Sequence, residues 1–145
     1  MAPREIDHYS PAPAFSVRRS DGFAIVTISG EIDIARAPAL REQLIGLLRP
    51  GASRLVVDLS GVTFCDASGL AVLVGAARRV ALLGGVLRLA APTPLVSTVL
   101  RLTGLDSRFE IFAAVPEAIG APIRPGVRDA GGSASRCNVQ AAALL

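Results

Sequence analysis

Arg54-Leu55-Val56-Val57-Asp58-Leu59-Ser60-Gly61-Val62-Thr63-Phe64-Cys65-Asp66-Ala67-Ser68-Gly69-Leu70 is the stretch whose reading decides the fold. Residues 54–59 are mostly apolar and branched, as a buried strand requires. Residues 60–65 lead to the turn Asp66-Ala67-Ser68-Gly69. Beyond it Leu70, Leu73, Val74 and Ala77 recur at i, i+3, i+4 and i+7, the helical period. Asp66 stands where an N-cap is expected, because its carboxylate can accept bonds from the unpaired N–H groups of the first turn. Two readings of this turn stay open. Asp66 and Ser68 only cap the helix, or the turn presents a hydroxyl, or a phosphate on it, to the positive end of the helix.

Outward from this unit the same alternation repeats. Residues 15–18 alternate apolar and polar and suit an edge strand, Ser20-Asp21-Gly22 is a turn signal, and residues 23–29 form a second strand, so the two predict a hairpin. Gly30-Glu31-Ile32-Asp33 ends that strand. Leu40, Leu44, Leu47 and Leu48 then line one face of a helix that Pro38 restricts to a start near Ala37. Leu82-Leu83-Gly84-Gly85 breaks the central helix, and residues 86–90 read as a strand. Thr93 and Pro94 open a third helix as N-cap and first residue, with Leu95, Val99 and Leu102 expected to face the core. A short strand at 109–112 and a last helix at 115–119 follow.

The predicted order is β-β-α-β-α-β-α-β-α. Strands joined through helices imply crossover connections and a mainly parallel α/β sheet of about five strands with helices packed against it. The two acidic turns, Glu31-Ile32-Asp33 and Asp66-Ala67-Ser68, each follow a strand and precede a helix. They should meet on one rim of the sheet, the place where open α/β sheets bind. Residues 1–13, with three prolines, read as a flexible leader; 14–119 read as one domain; 120–145, rich in Gly, Pro, Ser and Arg, read as a disordered tail.

Composition narrows the function. A chain of 145 residues with 51% hydrophobic content can bury a substantial core. All fifteen basic residues are Arg, and they are scattered through a net charge of +3. With 4% aromatics and no Trp, neither a basic run nor a stacking platform for direct nucleic-acid binding is present in the sequence. The single His8 has no neighbours at metal-ligand spacing, so neither a zinc site nor a histidine-based triad is expected. There is no Gly-rich phosphate loop, and Asp66-Ala67-Ser68-Gly69-Leu70 lacks the first glycine of a nucleophile elbow. Cys65 reads as a small buried hydrophobe. The expectation is a cytoplasmic, non-enzymatic protein with no cofactor and no membrane span.

At this point the chain resembles the STAS domains, the fold shared by bacterial anti-sigma factor antagonists and the cytoplasmic parts of sulfate transporters. The matching motifs are Gly30-Glu31-Ile32-Asp33, Leu55-Val56-Val57-Asp58-Leu59-Ser60-Gly61-Val62, Phe64-Cys65-Asp66-Ala67-Ser68-Gly69-Leu70 and Leu102-Thr103-Gly104-Leu105, across about residues 14–119. The resemblance implies a binding switch. In the antagonist branch the domain binds an anti-sigma factor that is also a serine kinase, with a histidine-kinase-like ATPase domain, and so frees a sigma factor. The kinase phosphorylates a serine beside the turn's aspartate, and a serine phosphatase restores binding. By that likeness Glu31, Asp33, Asp66, Ala67, Ser68, Gly69 and Leu70 face the partner. The usual acceptor position is Ala67 here, so the candidate acceptor is Ser68, one residue on; constitutive binding without phosphate control is the other reading. The same motifs also suit a STAS partner subunit of an ABC-type lipid transporter or a stressosome-like scaffold.

Overall fold

The computed structural model describes residues 14–50 and 53–123; the expected leader at 1–13 and the stretch 124–145 lie outside the described residues. Strands β1 (Ala14–Ser20) and β2 (Phe23–Ile32) form the hairpin. Asp21 and Gly22 both take positive φ, 51° and 84°, as a two-residue hairpin turn requires. Then come α1 (Ala37–Gly46), β3 (Arg54–Cys65), α2 (Ala67–Leu82), β4 (Val86–Ala90), α3 (Pro94–Leu102), a 3-10 turn (Leu105–Ser107), β5 (Glu110–Phe112) and α4 (Val115–Gly120). The sheet order is β1-β2-β3-β4-β5; β1 is antiparallel to β2, and every other pair is parallel. This is the mixed, mainly parallel α/β sheet with the element order that the sequence predicts.

Alternation along the strands sends side chains to two unequal layers. On one face Val26, Ile28, Val57 and Leu59 pack with Leu40 and Leu44 of α1, Leu70, Leu73 and Val74 of α2, and Val96 and Leu100 of α3. On the other, among the described residues, Phe23, Ile25, Val56 and Ala90 pack with Val115, Ala118 and Ile119 of α4, with Phe112 and Ile123 beside them.

Strand β3 is twice as long as the six residues read from the sequence. Ser60-Gly61 looks like a breaker but is a bulge: the register with β2 shifts between Thr27 and Ser29, and pairing resumes from Ser29↔Gly61 to Ile32↔Cys65. A Cβ on Gly61 would lie 2.8 Å from the Ser29 Cβ, so the close approach there requires glycine. The bulge carries β3 out to the rim where the turn at Asp66 begins.

Helix α3 is rotated from its expected setting. The core receives Val96 and Leu100, each 1% exposed; of the three residues expected there only Val99 packs against it, half-buried, while Leu95 and Leu102 are 47% and 76% exposed. The Thr93 hydroxyl donates to the Val62 carbonyl at 3.0 Å and its oxygen accepts from the Val96 N–H, which fixes the rotation about the axis. The helix is apolar on both sets of positions, so its period alone could not choose between them.

One charged side chain is buried in the thinner layer. Arg88 of β4 is 1% exposed. Its Nε donates to Glu110 at 2.9 Å, and its terminal nitrogens donate to the carbonyls of Ala118, Ala121 and Pro122 at 2.6, 2.9 and 2.7 Å. Its guanidinium lies 5.4 Å from the ring centres of both Phe23 and Phe112. The planar fork satisfies the Ala118 carbonyl in the last turn of α4, which the helix cannot satisfy for itself, and the Ala121 and Pro122 carbonyls just past its end. Packing thus continues to Ile123, past residue 119. Arg88→Met keeps the apolar stem and strands those carbonyls. It should lower stability by about 2–4 kcal/mol, read as a fall in the urea midpoint; a midpoint within error of the wild type would show that Arg88 does not hold α4 to the sheet.

Candidate functional site

The two acidic turns meet on one rim. The end of β2 pairs Glu31 with Phe64 and Ile32 with Cys65, and the Asp66 N–H donates to the Ile32 carbonyl at 3.2 Å. Asp66 is the N-cap of α2: its backbone is extended, and one carboxylate oxygen accepts from the N–H groups of Ser68 and Gly69 at 2.8 and 3.1 Å. Its carbonyl accepts the first helical bond from Leu70 at 3.0 Å. Such a cap contributes about 1 kcal/mol.

Gly69 sets how close α2 comes to β2. A Cβ there would lie 2.7 Å from the Ile32 Cγ2, 2.8 Å from the Cys65 Sγ and 2.9 Å from the Ile32 carbonyl oxygen. Two of these neighbours are themselves buried and one is backbone, so none can give way cheaply.

Asp33 acts one turn earlier than a cap of α1 would. One carboxylate oxygen accepts from the N–H groups of Ala35 and Arg36, both at 3.1 Å, and the other pairs with the Arg36 guanidinium at 3.0 Å. Its carbonyl accepts from Arg36 and Ala37. The N-cap position of α1 is Arg36, without a side-chain cap bond. Asp33 therefore closes the loop ahead of the helix and does not cap α1 itself. The ion pair is part-exposed and by itself adds little stability.

The sequence-derived site residues divide by exposure. Glu31 and Ala67 are exposed, Asp33, Asp66 and Ser68 are half-buried, and Gly69 and Leu70 are buried. Ala67 occupies the first helical position of α2 and Ser68 the second. Gly69 and Leu70 shape the turn from below and present no surface. Sequence reasoning missed two others: Ile34 is 74% exposed and Phe64 is 43% exposed, both on the rim. The available signal was an apolar side chain in a loop, at Ile34, and one at a strand end beside another apolar residue, at Phe64.

Among the described residues no three His, Cys, Asp or Glu side chains cluster as metal ligands, and no helix is long and apolar enough to cross a membrane. Cys65 is buried, and its thiol is pushed up from 9.0 to about 11, first by burial and then by the Asp66 carboxylate. A neutral thiol is a poor nucleophile. Between pH 9.0 and about 11 the unfolded chain holds the thiolate while the folded chain does not, so the contribution of this group to stability is full below pH 9.0 and is lost across that window. In a Cys137→Ser background, alkylation of native Cys65 at pH 8 should be at least about 100-fold slower than in urea; comparable rates would place the thiol in solvent.

The sequence pattern of the STAS domain matches residues 14–118. The chain is 36% identical over 97 residues to the anti-sigma-B factor antagonist of Bacillus subtilis, covering 67% of this chain and 88% of that one. It is 30% identical over 106 residues to the anti-sigma-F factor antagonist RsfB of Mycobacterium tuberculosis, covering 72% and 84%. The crystal structure of an anti-sigma factor antagonist from Mycobacterium paratuberculosis superposes with a TM-score of 0.69 at 31% identity, over 76% of this chain and 94% of that one. By sequence and by fold alike, the chain belongs to the STAS domain family.

Proposed function

We propose that this protein is an anti-sigma factor antagonist: a non-enzymatic module that takes an anti-sigma factor onto the rim formed by Glu31, Asp33, Ile34, Phe64, Asp66 and Ala67, and so frees a sigma factor. One observation carries the reading. The two acidic turns are joined by the Asp66–Ile32 backbone bond into one surface, in a chain whose curated relatives bear antagonist names. The surface has the composition of a protein interface. Ile34 and Phe64 offer exposed apolar area, and Glu31 and Asp66 supply negative charge that selects a basic patch opposite.

The partner in this reading is an anti-sigma factor of the serine-kinase type with a histidine-kinase-like ATPase domain, and a serine phosphatase resets the complex. Ser68 is the candidate acceptor. A phosphate there adds about −1.5 to −2 charges at neutral pH, on the residue whose own N–H donates to the Asp66 carboxylate. The helix N-terminus stabilises that charge locally, while the Asp66 carboxylate opposes it. Ala67, at the exposed corner, has no hydroxyl to modify.

Binding to purified anti-sigma factors of the host tests the reading by titration calorimetry. Asp66→Lys should weaken the complex by about tenfold or more; equal affinities would move the interface away from the rim, and a wild type that binds no anti-sigma factor would remove the antagonist reading. With kinase and ATP, intact-mass measurement should find one added phosphate on the wild type and none on Ser68→Ala. A bound complex that gains no phosphate would make the protein a constitutive antagonist.

A further inference from the structure

Helices α2 and α3 both end at the edge of the sheet opposite the rim. Each connects two parallel strands, so it starts where one strand finishes and finishes where the next begins. The rim and this far edge stand about 24 Å apart, the length of the sixteen-residue α2. Leu82, the last residue of α2, is 84% exposed, and Leu102, the last residue of α3, is 76% exposed. They are the two most exposed large hydrophobic side chains among the described residues.

Each leucine stands among arginines. Arg78 and Arg79 lie one turn before Leu82 on the same side of α2, and Arg101 precedes Leu102; all three are exposed. Two more join them. The Val86 N–H donates to the Ser53 carbonyl at 2.8 Å, and Leu48 packs with Val80 where α1 and α2 end. Exposed Arg49 and Arg54, before and after Ser53, are thereby brought to the same edge. Among the described residues none of these arginines is paired with a carboxylate. No Asp or Glu occurs between Asp66 and Asp106, and Asp21 and Asp106 at this edge leave it basic. The helix dipoles favour Arg79 and Arg101 in the last turns, but they give no reason for Arg49, Arg54, Arg78 or the bare leucines.

Charge and apolarity together select the occupant. The cations come from four separate elements, and an acidic protein would need carboxylates set at that irregular spacing. The headgroups of an anionic bilayer move laterally and meet each cation where it stands. The leucines gain an apolar phase just beneath the headgroups, while the arginine stems reach back to the phosphates. A nucleic-acid duplex would use the arginines and leave the leucines in water.

We infer that the basic edge around Leu82 and Leu102 is a peripheral docking surface for anionic phospholipid bilayers: its arginines meet headgroup phosphates, and the two leucines enter the interface. The inference is independent of the antagonist reading, since the rim lies at the opposite edge and stays open to a partner. Each arginine near an anionic surface is worth about fivefold in partition, and two leucines offer little apolar area. The contact is therefore reversible and weakened by salt.

Co-sedimentation of the full chain with vesicles tests it. At about 0.1 M salt the protein should bind vesicles of phosphatidylglycerol with phosphatidylcholine and ignore phosphatidylcholine alone, and about 0.5 M salt should release it. Arg78→Glu combined with Arg79→Glu should weaken binding at least about tenfold. Leu82→Ser combined with Leu102→Ser, which keeps every charge, should weaken it about threefold or more. All four side chains are exposed, so the melting temperature should not move; either leucine changed alone decides the point if the double variant loses its fold. Arg41→Glu, at an exposed site midway along α1, should cost less than about twofold. Absence of binding to the anionic vesicles overturns the inference. A loss from Arg41→Glu as large as that from the Arg78 and Arg79 pair also overturns it, because the attraction would then follow net charge. Full binding by the leucine variants, with equal binding to a DNA duplex, overturns it too and makes the edge a site for polyanions in general.

Discussion

The first turn of α2 can sit where it does only because residue 69 has no side chain. The Ile32 carbonyl, the Ile32 methyl and the Cys65 sulfur all lie within 3 Å of where a Cβ would be. That proximity lets the Asp66 N–H reach the Ile32 carbonyl, and the bond ties the end of β2 to the start of α2. The Asp66 carboxylate is then committed to the Ser68 and Gly69 N–H groups, and the exposed corner of the turn falls on Ala67. Asp33 closes the neighbouring loop by the same kind of bond to Ala35 and Arg36. Each acidic side chain shapes its own backbone, while Ile34, Phe64 and Ala67 are left outside. The rim is therefore held in shape by its own backbone hydrogen bonds, which suits a surface that binds without rearranging.

The rest of the fold supplies a platform of two unequal layers. The thick layer, under α1, α2 and α3, is apolar and continuous. The thin layer is capped by one short helix, and there a buried arginine replaces apolar area that a six-residue helix cannot provide. Arg88 between two aromatic rings satisfies three carbonyls at the end of α4 and pairs with Glu110, which is 38% exposed. The charge is thus buried with hydrogen bonds on every side from which solvent has been removed.

Sequence reading succeeded where one signal dominated. The Asp66 and Thr93 caps, the Asp21-Gly22 turn and the element order all follow from local chemistry, and the structure has them in those places. It failed where two signals competed. Ser60-Gly61 carries turn residues, yet Gly61 is small for the sake of Ser29 on the next strand, a contact invisible along the chain. Helix α3 has two apolar faces, and the choice between them rests on a hydrogen bond from Thr93 to β3. Arg88 in VLRLA reads as the polar position of a half-exposed strand; its burial depends on carbonyls some thirty residues later. At the rim the acidic residues were legible, and the apolar Ile34 and Phe64 were not, because exposure is a property of what fails to pack against them.

The central claim is that the joined turns form the surface that a protein partner covers. Hydrogen exchange on the protein alone and in complex with an anti-sigma factor tests it most directly. The account predicts added protection concentrated in residues 31–36 and 64–68, with the β4 strand around Arg88 unchanged. Protection centred on α4 and the Arg88 layer, with the rim exchanging as in the free protein, would contradict it.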